Sequence, residues 1–174
     1  MQILKYEKNK VEFKPWDEEY FNVANNLIDF IQNEKFDVIH IGSTSAMVSG
    51  KGIIDLSLLY EKGDLEQAIK YIKSLGFQDQ TTGKPFPRER PRKDGMVIFN
   101  NKKFNIHVHL ILKGSIEHRK QLKFKEFMLS NPLAREKYEQ SKLDIIEKGI
   151  ITQEEYGKEK SKFVKPIVTK LNDI

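Results

Sequence analysis

The chain has 174 residues, 39% hydrophobic and 32% charged, enough apolar material for one real core beneath a densely charged surface. It has no cysteine, which excludes disulfides, thiolate metal sites and cysteine nucleophiles and fits a cytoplasmic protein. Thirty basic residues stand against twenty-five acidic ones; a net charge of +5, much of it Lys beside Glu, argues only weakly for nucleic acid as a partner.

Position 15 is a proline, and after it Phe21, Ala24, Leu27, Ile28 and Ile31 fall at three- and four-residue spacing, which predicts an amphipathic helix over 17–33. A β-rich run over 36–41 ends at Gly42 and predicts a strand; a second strand is expected over 53–60. Asp64, with Gln67 three residues on, reads as a capping box for a helix to about residue 75, with Gly76 beyond its end. From 77 to 94 the pattern dissolves. Pro85, Pro87 and Pro91 interleave with Arg88, Arg90 and Arg92, which predicts a basic loop or broken strand near something acidic. Segments 96–99 and 104–112 read as a hairpin joined through 100–103. After Gly114 the chain turns helical: 115–130, then a helix capped by Asn131 with Pro132 at its first position, then a last helix from the Thr152–Glu155 capping box to about 171. The order suggests a single α+β domain over 1–174, its helical C-terminal portion beginning near 115. No apolar run approaches the roughly 18 residues that span a bilayer, and residues 1–5 lack the apolar stretch of a signal peptide.

Side chains alternate along a strand, so each of two strands carries one apolar and one functional face. Ile54, Leu56 and Leu58 oppose Asp55 and Ser57; Phe104, Ile106, Val108 and Leu110 oppose Asn105, His107 and His109. If both strands share a sheet and a core side, Asp55, His107 and His109 meet on one surface. Such a set suits zinc, manganese, iron or nickel better than magnesium, which prefers oxygen ligands. Two other readings stay open: an imidazole as general base or substrate contact without metal, and ordinary half-exposed strand histidines. The small-residue turn Gly42-Ser43-Thr44-Ser45 offers amides and hydroxyls to phosphate or, equally, a plain helix cap. Lys51, Arg88 and Arg90 are candidates to neutralise an anion there. His40 reads as a hydrogen-bonded structural histidine, His118 as a surface residue, and Trp16 as a packing anchor. The Lys-rich helices over 120–170 read as solvated faces.

Read together, Val11-Glu12-Phe13-Lys14-Pro15-Trp16, His40-Ile41-Gly42-Ser43-Thr44-Ser45, Lys51-Gly52-Ile53-Ile54-Asp55-Leu56 and Asn105-Ile106-His107-Val108-His109 resemble the GrpB family. So do Leu122 to Phe127, Asn131-Pro132 and Tyr156 to Val164, so that the likeness spans nearly the whole chain. The resemblance implies a nucleotidyltransferase-like, polymerase-β-like core with a mixed β-sheet, packed helices and a C-terminal helical layer. It further implies a divalent metal ion and a nucleotide or other phosphorylated small molecule as ligand. Active members of that superfamily use two carboxylates two residues apart, and a third on a later strand, to bind two magnesium ions. Asp55 matches the first. Ser57 stands at the second position, and the strand with His107 and His109 carries no acid. Two function classes follow: a metal-dependent transferase or hydrolase, and a non-catalytic nucleotide- or RNA-binding module with a degenerate transferase site.

Overall fold

The computed structural model describes residues 1–150 and 152–172; the elements over them follow the hydrophobic spacing closely. Helix α1 (Glu19–Ile31) turns Val23, Ala24, Leu27 and Ile31 into the core, each fully buried. Burial of a side chain such as Leu27 stabilises the fold by about 1.5–3 kcal/mol. After β1 (Asp37–Ile41) comes a single helical turn, α2 (Gly42–Ser45), then β2 (Ile54–Tyr60) and α3 (Leu65–Ser74). Strands β3 (Gln78–Asp79), β4 (Arg92–Phe99) and β5 (Lys102–Leu112) precede three helices, α4 (Ile116–Ser130), α5 (Pro132–Glu147) and α6 (Gln153–Asn172).

The sheet order is β1-β2-β5-β4-β3, with β2 and β5 parallel and the other neighbours antiparallel. One face, carrying Ile54, Leu56, Leu58, Ile106, Val108 and Leu110, is sealed by α1 and α3. Helices α4 to α6 lie on the other side around a smaller apolar cluster that includes Met128, Tyr138 and Phe163. No described helix is long and apolar enough to cross a membrane.

Three local expectations change. Asp64 and Gln67 form no capping box: Lys35 Nζ takes Asp64 Oδ1 at 3.0 Å and bonds Gln67 Oε1 as well, so neither side chain returns to the helix. The hairpin turn is two residues, not four, because Asn100 and Asn101 both adopt positive φ (48° and 61°), the conformation of a type I′ turn. The proline-rich stretch is more ordered than its composition suggests, since Arg92, Lys93 and Asp94 already belong to β4 and pair with His109, Val108 and His107. The caps at Asn131 and Thr152 form as expected, with Asn131 Oδ1 accepting from the Ala134 N–H, and Ser115 proves to be a cap as well, its Oγ accepting from the His118 N–H.

His40 is buried and structural, its Nε2 2.8 Å from Thr44 Oγ1. Burial first, and the nearby Lys125 ammonium second, lower its pKa to about 4. The unfolded chain therefore takes up a proton between pH 6.5 and 4 that the folded chain refuses, so stability present above pH 6.5 is lost as pH falls toward 4. The contribution is about 3 kcal/mol from a shift of this size. Urea midpoints at pH 7 and pH 4.5 check this: His40→Gln should lose less stability across that interval than wild type, and equal losses would contradict it. Trp16 anchors the same corner, donating its Nε1–H to Thr44 O at 2.9 Å.

Candidate functional site

The parallel register sets Asp55 beside His107 and Ser57 beside His109, on the face away from α1 and α3. Residues directly opposite on neighbouring strands share a face, so strand adjacency completes what alternation alone only suggests. Asp55 Oδ1 lies 3.2 Å from His107 Nδ1 and 3.5 Å from His109 Nε2. Burial raises the Asp55 carboxyl, but hydrogen bonds from the two imidazoles outweigh it and hold the group well below the usual carboxylate range. Burial also lowers His107, against the help it receives from Asp55. The resulting state is an ionised carboxylate facing a neutral imidazole, the protonation in which both can bind a metal.

The spacing fits an ion. Four ligands placed 2.0–2.1 Å from a tetrahedral zinc stand about 3.3–3.4 Å from one another; the two distances from Asp55 Oδ1, 3.2 and 3.5 Å, lie just either side of that. One donor atom from each of Asp55, His107 and His109 lies within 4.8 Å of the other two. The same residues do not fit a pair of magnesium ions. Ser57 is fully buried and donates to Gln121 Oε1 on α4 at 2.8 Å. The nearest further acid, Asp94 opposite His107, is engaged by Arg92, with Nε to Oδ1 at 2.7 Å and Nη2 to Oδ2 at 3.0 Å, and by Thr81.

Over this face lies a cavity of about 930 Å³ that includes Ser43, Lys51, Asp55, His109, Lys142 and Lys160 in its walls. Gly42 touches Asp55 closely: a Cβ there, at φ +72°, would stand 2.7 Å from Asp55 Oδ2. Of the small-residue turn, Ser43 lines the cavity with its Oγ accepting from Lys142 Nζ at 2.6 Å. The Thr44 hydroxyl faces His40, and Ser45 Oγ donates to Gly42 O, so both serve the turn itself. Lys51 lines the cavity, bonded to Gln153 Oε1 at 2.5 Å and set 4.8 Å from the Tyr156 ring centroid. Arg90 reaches the wall, whereas Arg88 is exposed and stands outside it.

Sequence reasoning missed the lysines of the helical layer. Lys142, in α5, is 2% exposed, held by Ser43 Oγ and Ser49 O and 4.2 Å from the Tyr138 ring centroid. Lys160, in α6, joins it from the opposite helix. Among the described residues none of Lys51, Lys142 and Lys160 has a carboxylate within 4.0 Å. Burial first, and the charge of Lys160 second, lower Lys51 to about 8; the same two causes, with Lys51 third, take Lys142 well below its usual range. Cations crowded this way favour an anion among them. The signal was present: Tyr138, Lys142 and Ile145 recur at four- and three-residue spacing and form the buried stripe of α5.

Searches among solved structures place the fold with nucleotidyltransferases. The chain aligns with the Cid1 poly(U) polymerase at a TM-score of 0.56 and 14% identity, over 84% of this chain and 49% of that one, so it spans about half of the polymerase. Alignment with the Leishmania infantum polymerase beta gives a TM-score of 0.40 at 17% identity, over 83% of this chain and 57% of that chain. The Cid1 alignment supports a nucleotidyltransferase-like fold, as the resemblance implied. The family model described as "GrpB protein" matches residues 10–170, and the chain belongs to that family. It is also 22% identical to UPF0157 protein BH1888 of Halalkalibacterium halodurans, over 93% of this chain and 81% of that protein.

Proposed function

We propose that this GrpB protein binds one divalent metal ion through Asp55, His107 and His109 and acts there on a nucleotide or another phosphorylated small molecule. The observation that carries the reading is one cavity lined both by the three-donor cluster of Asp55, His107 and His109 and by Lys51, Lys142 and Lys160, none of which has a carboxylate within 4.0 Å among the described residues. Ser43 and Lys142 would receive phosphate oxygens, and Arg90 would add a guanidinium fork at the mouth. Bound in the cluster, an ion of the zinc or manganese class supplies Lewis-acid polarisation of a phosphoryl oxygen. The chain's own residues orient that phosphate, hold it by charge, and exclude water beneath α4 to α6. Support for a nucleotide comes from the fold alone: the Cid1 polymerase was solved with magnesium and 3′-dATP bound.

A second reading, a binding module without turnover, is favoured by the transferase positions themselves: Ser57 stands at the second and bonds Gln121, and the strand with His107 and His109 has no acid for the third, so Asp55 is the one carboxylate of the set. One set of measurements separates the two. Metal analysis on protein purified without a nickel column, then calorimetry with zinc, manganese, magnesium and a panel of nucleotides, should find zinc or manganese bound in preference to magnesium. Lys160→Ala should weaken nucleotide binding about tenfold or more and leave metal binding unchanged. Nucleotide binding that needs no metal, with no turnover on any acceptor tried, would establish the module instead. No binding of either ligand would end both readings.

A further inference from the structure

Residues 1–9 precede the stretch matched by the family model, yet one of them, Tyr6, packs against the candidate ligand His107. Ile3 is buried against the sheet, and its approach depends on glycine: a Cβ on Gly95 would stand 2.8 Å from Ile3 Cγ2. Leu4 pairs with Met96 along the outer edge of β4, exchanging backbone hydrogen bonds of 2.8 and 3.0 Å. The Tyr6 N–H donates to Gln78 Oε1 at 3.2 Å, and Glu7 and Asn105 exchange two more bonds, 3.3 and 2.7 Å. Anchored before and after, Tyr6 lays its ring along that of His107, with centroids 5.4 Å apart and planes 17° from parallel. Its Oη lies 3.2 Å from His107 Nε2.

From this geometry we infer that Tyr6 is a positioning residue of the metal centre, holding the His107 imidazole so that it ligates through Nδ1 while His109 ligates through Nε2. The inference rests on the metal reading above. Without an ion, Asp55 only accepts, so the proton of His107 sits on Nδ1 and Nε2 accepts the Tyr6 O–H. With a divalent ion held by Asp55, His107 and His109, a His107 that ligates through Nδ1 would carry its proton on Nε2, and Tyr6 Oη would accept it. A phenol serves either state; a phenyl ring serves neither. Asp94 Oδ1, 4.0 Å from the same Nε2, adds negative charge that favours the N–H there. Outer partners of this kind fix the tautomer and orientation of ligand histidines, and their loss commonly costs 10–100-fold in metal affinity.

Zinc calorimetry on metal-stripped wild type and Tyr6→Phe, with long-range proton–nitrogen spectra of the imidazoles, tests this. Tyr6→Phe keeps the ring stack and should bind zinc about tenfold or more weakly, with a near wild-type melting temperature. In zinc-loaded wild type, His107 should show a proton on Nε2 and His109 a proton on Nδ1. The tautomer measurement needs no variant and so stands even if Tyr6→Phe folds poorly. Wild-type affinity in Tyr6→Phe, or His107 bound through Nε2, would overturn the role of Tyr6 while leaving the centre intact. A wild type that binds no zinc would instead remove the centre itself.

Discussion

Asp55→Asn will leave the chain folded and lower its affinity for zinc by two orders of magnitude or more. Asp55 is the sole anionic member of the cluster, and one of its oxygens is shared by both imidazoles, at 3.2 and 3.5 Å. An amide in its place is neutral, and if its oxygen faces one ring nitrogen its –NH₂ is turned elsewhere. The uncompensated charge of an ion between two neutral imidazoles then opposes binding. The readout is thermal. A ligand at a thousand times its dissociation constant stabilises the folded state by about 4 kcal/mol, so zinc should raise the melting temperature of wild type and leave that of Asp55→Asn nearly still. A variant that keeps the full zinc shift would show that the ion, if bound, lies elsewhere.

Gly42→Ala has the next largest expected effect, because two penalties coincide. At φ +72° a side chain costs about 1–2 kcal/mol, and the added Cβ would lie 2.7 Å from Asp55 Oδ2 and 3.0 Å from Asp55 Cβ. Overpacking of this kind adds about 1–3 kcal/mol. A loss of about 2–5 kcal/mol is expected in urea unfolding, together with weakened metal binding as the carboxylate is displaced. Gly63→Ala supplies the control: its φ is +96°, but nothing lies within 4 Å of the added atom. It should bear the backbone cost alone and keep wild-type metal affinity. Equal behaviour of the two variants would show that the Gly42–Asp55 contact has no consequence for the site.

Much of this architecture is legible in the residue pattern because periodicity and burial agree. The Ala24-Leu27-Ile31 spacing, the alternation in β2 and β5 and the Asn131-Pro132 cap each state their element locally. What alternation cannot state is which strands are neighbours, and the convergence of Asp55 with His107 and His109 depends wholly on that. Arg92 reads as part of a basic loop and Asp94 does not stand out, because Pro87 and Pro91 suggest loop, although both prolines lie before the strand and leave its ladder intact. Lys142 and Lys160 were hidden for a different reason. Glu and Lys alternate so densely along α5 and α6 that the helices read as solvated on all sides, with weak amphipathic character in α5. The aromatic neighbours Tyr138 and Tyr156, spaced four residues before each lysine, are the local sign that these two cations point inward.

The Asn100–Asn101 turn leaves β4 and β5 no slack. Phe99 pairs directly with Lys102, and the ladder runs unbroken from there to Arg92 opposite His109. Because strand faces alternate with a period of two, adding or deleting a single residue at this turn would present Ile106 and Val108 to the cavity and press His107 and His109 into the apolar layer, unless a bulge absorbed the change. The proposed centre at Asp55 is in this sense metered from the far end of the hairpin, by two asparagines that touch none of its candidate ligands. Variation in length at that tip is therefore as informative about a relative's chemistry as variation among the ligands themselves.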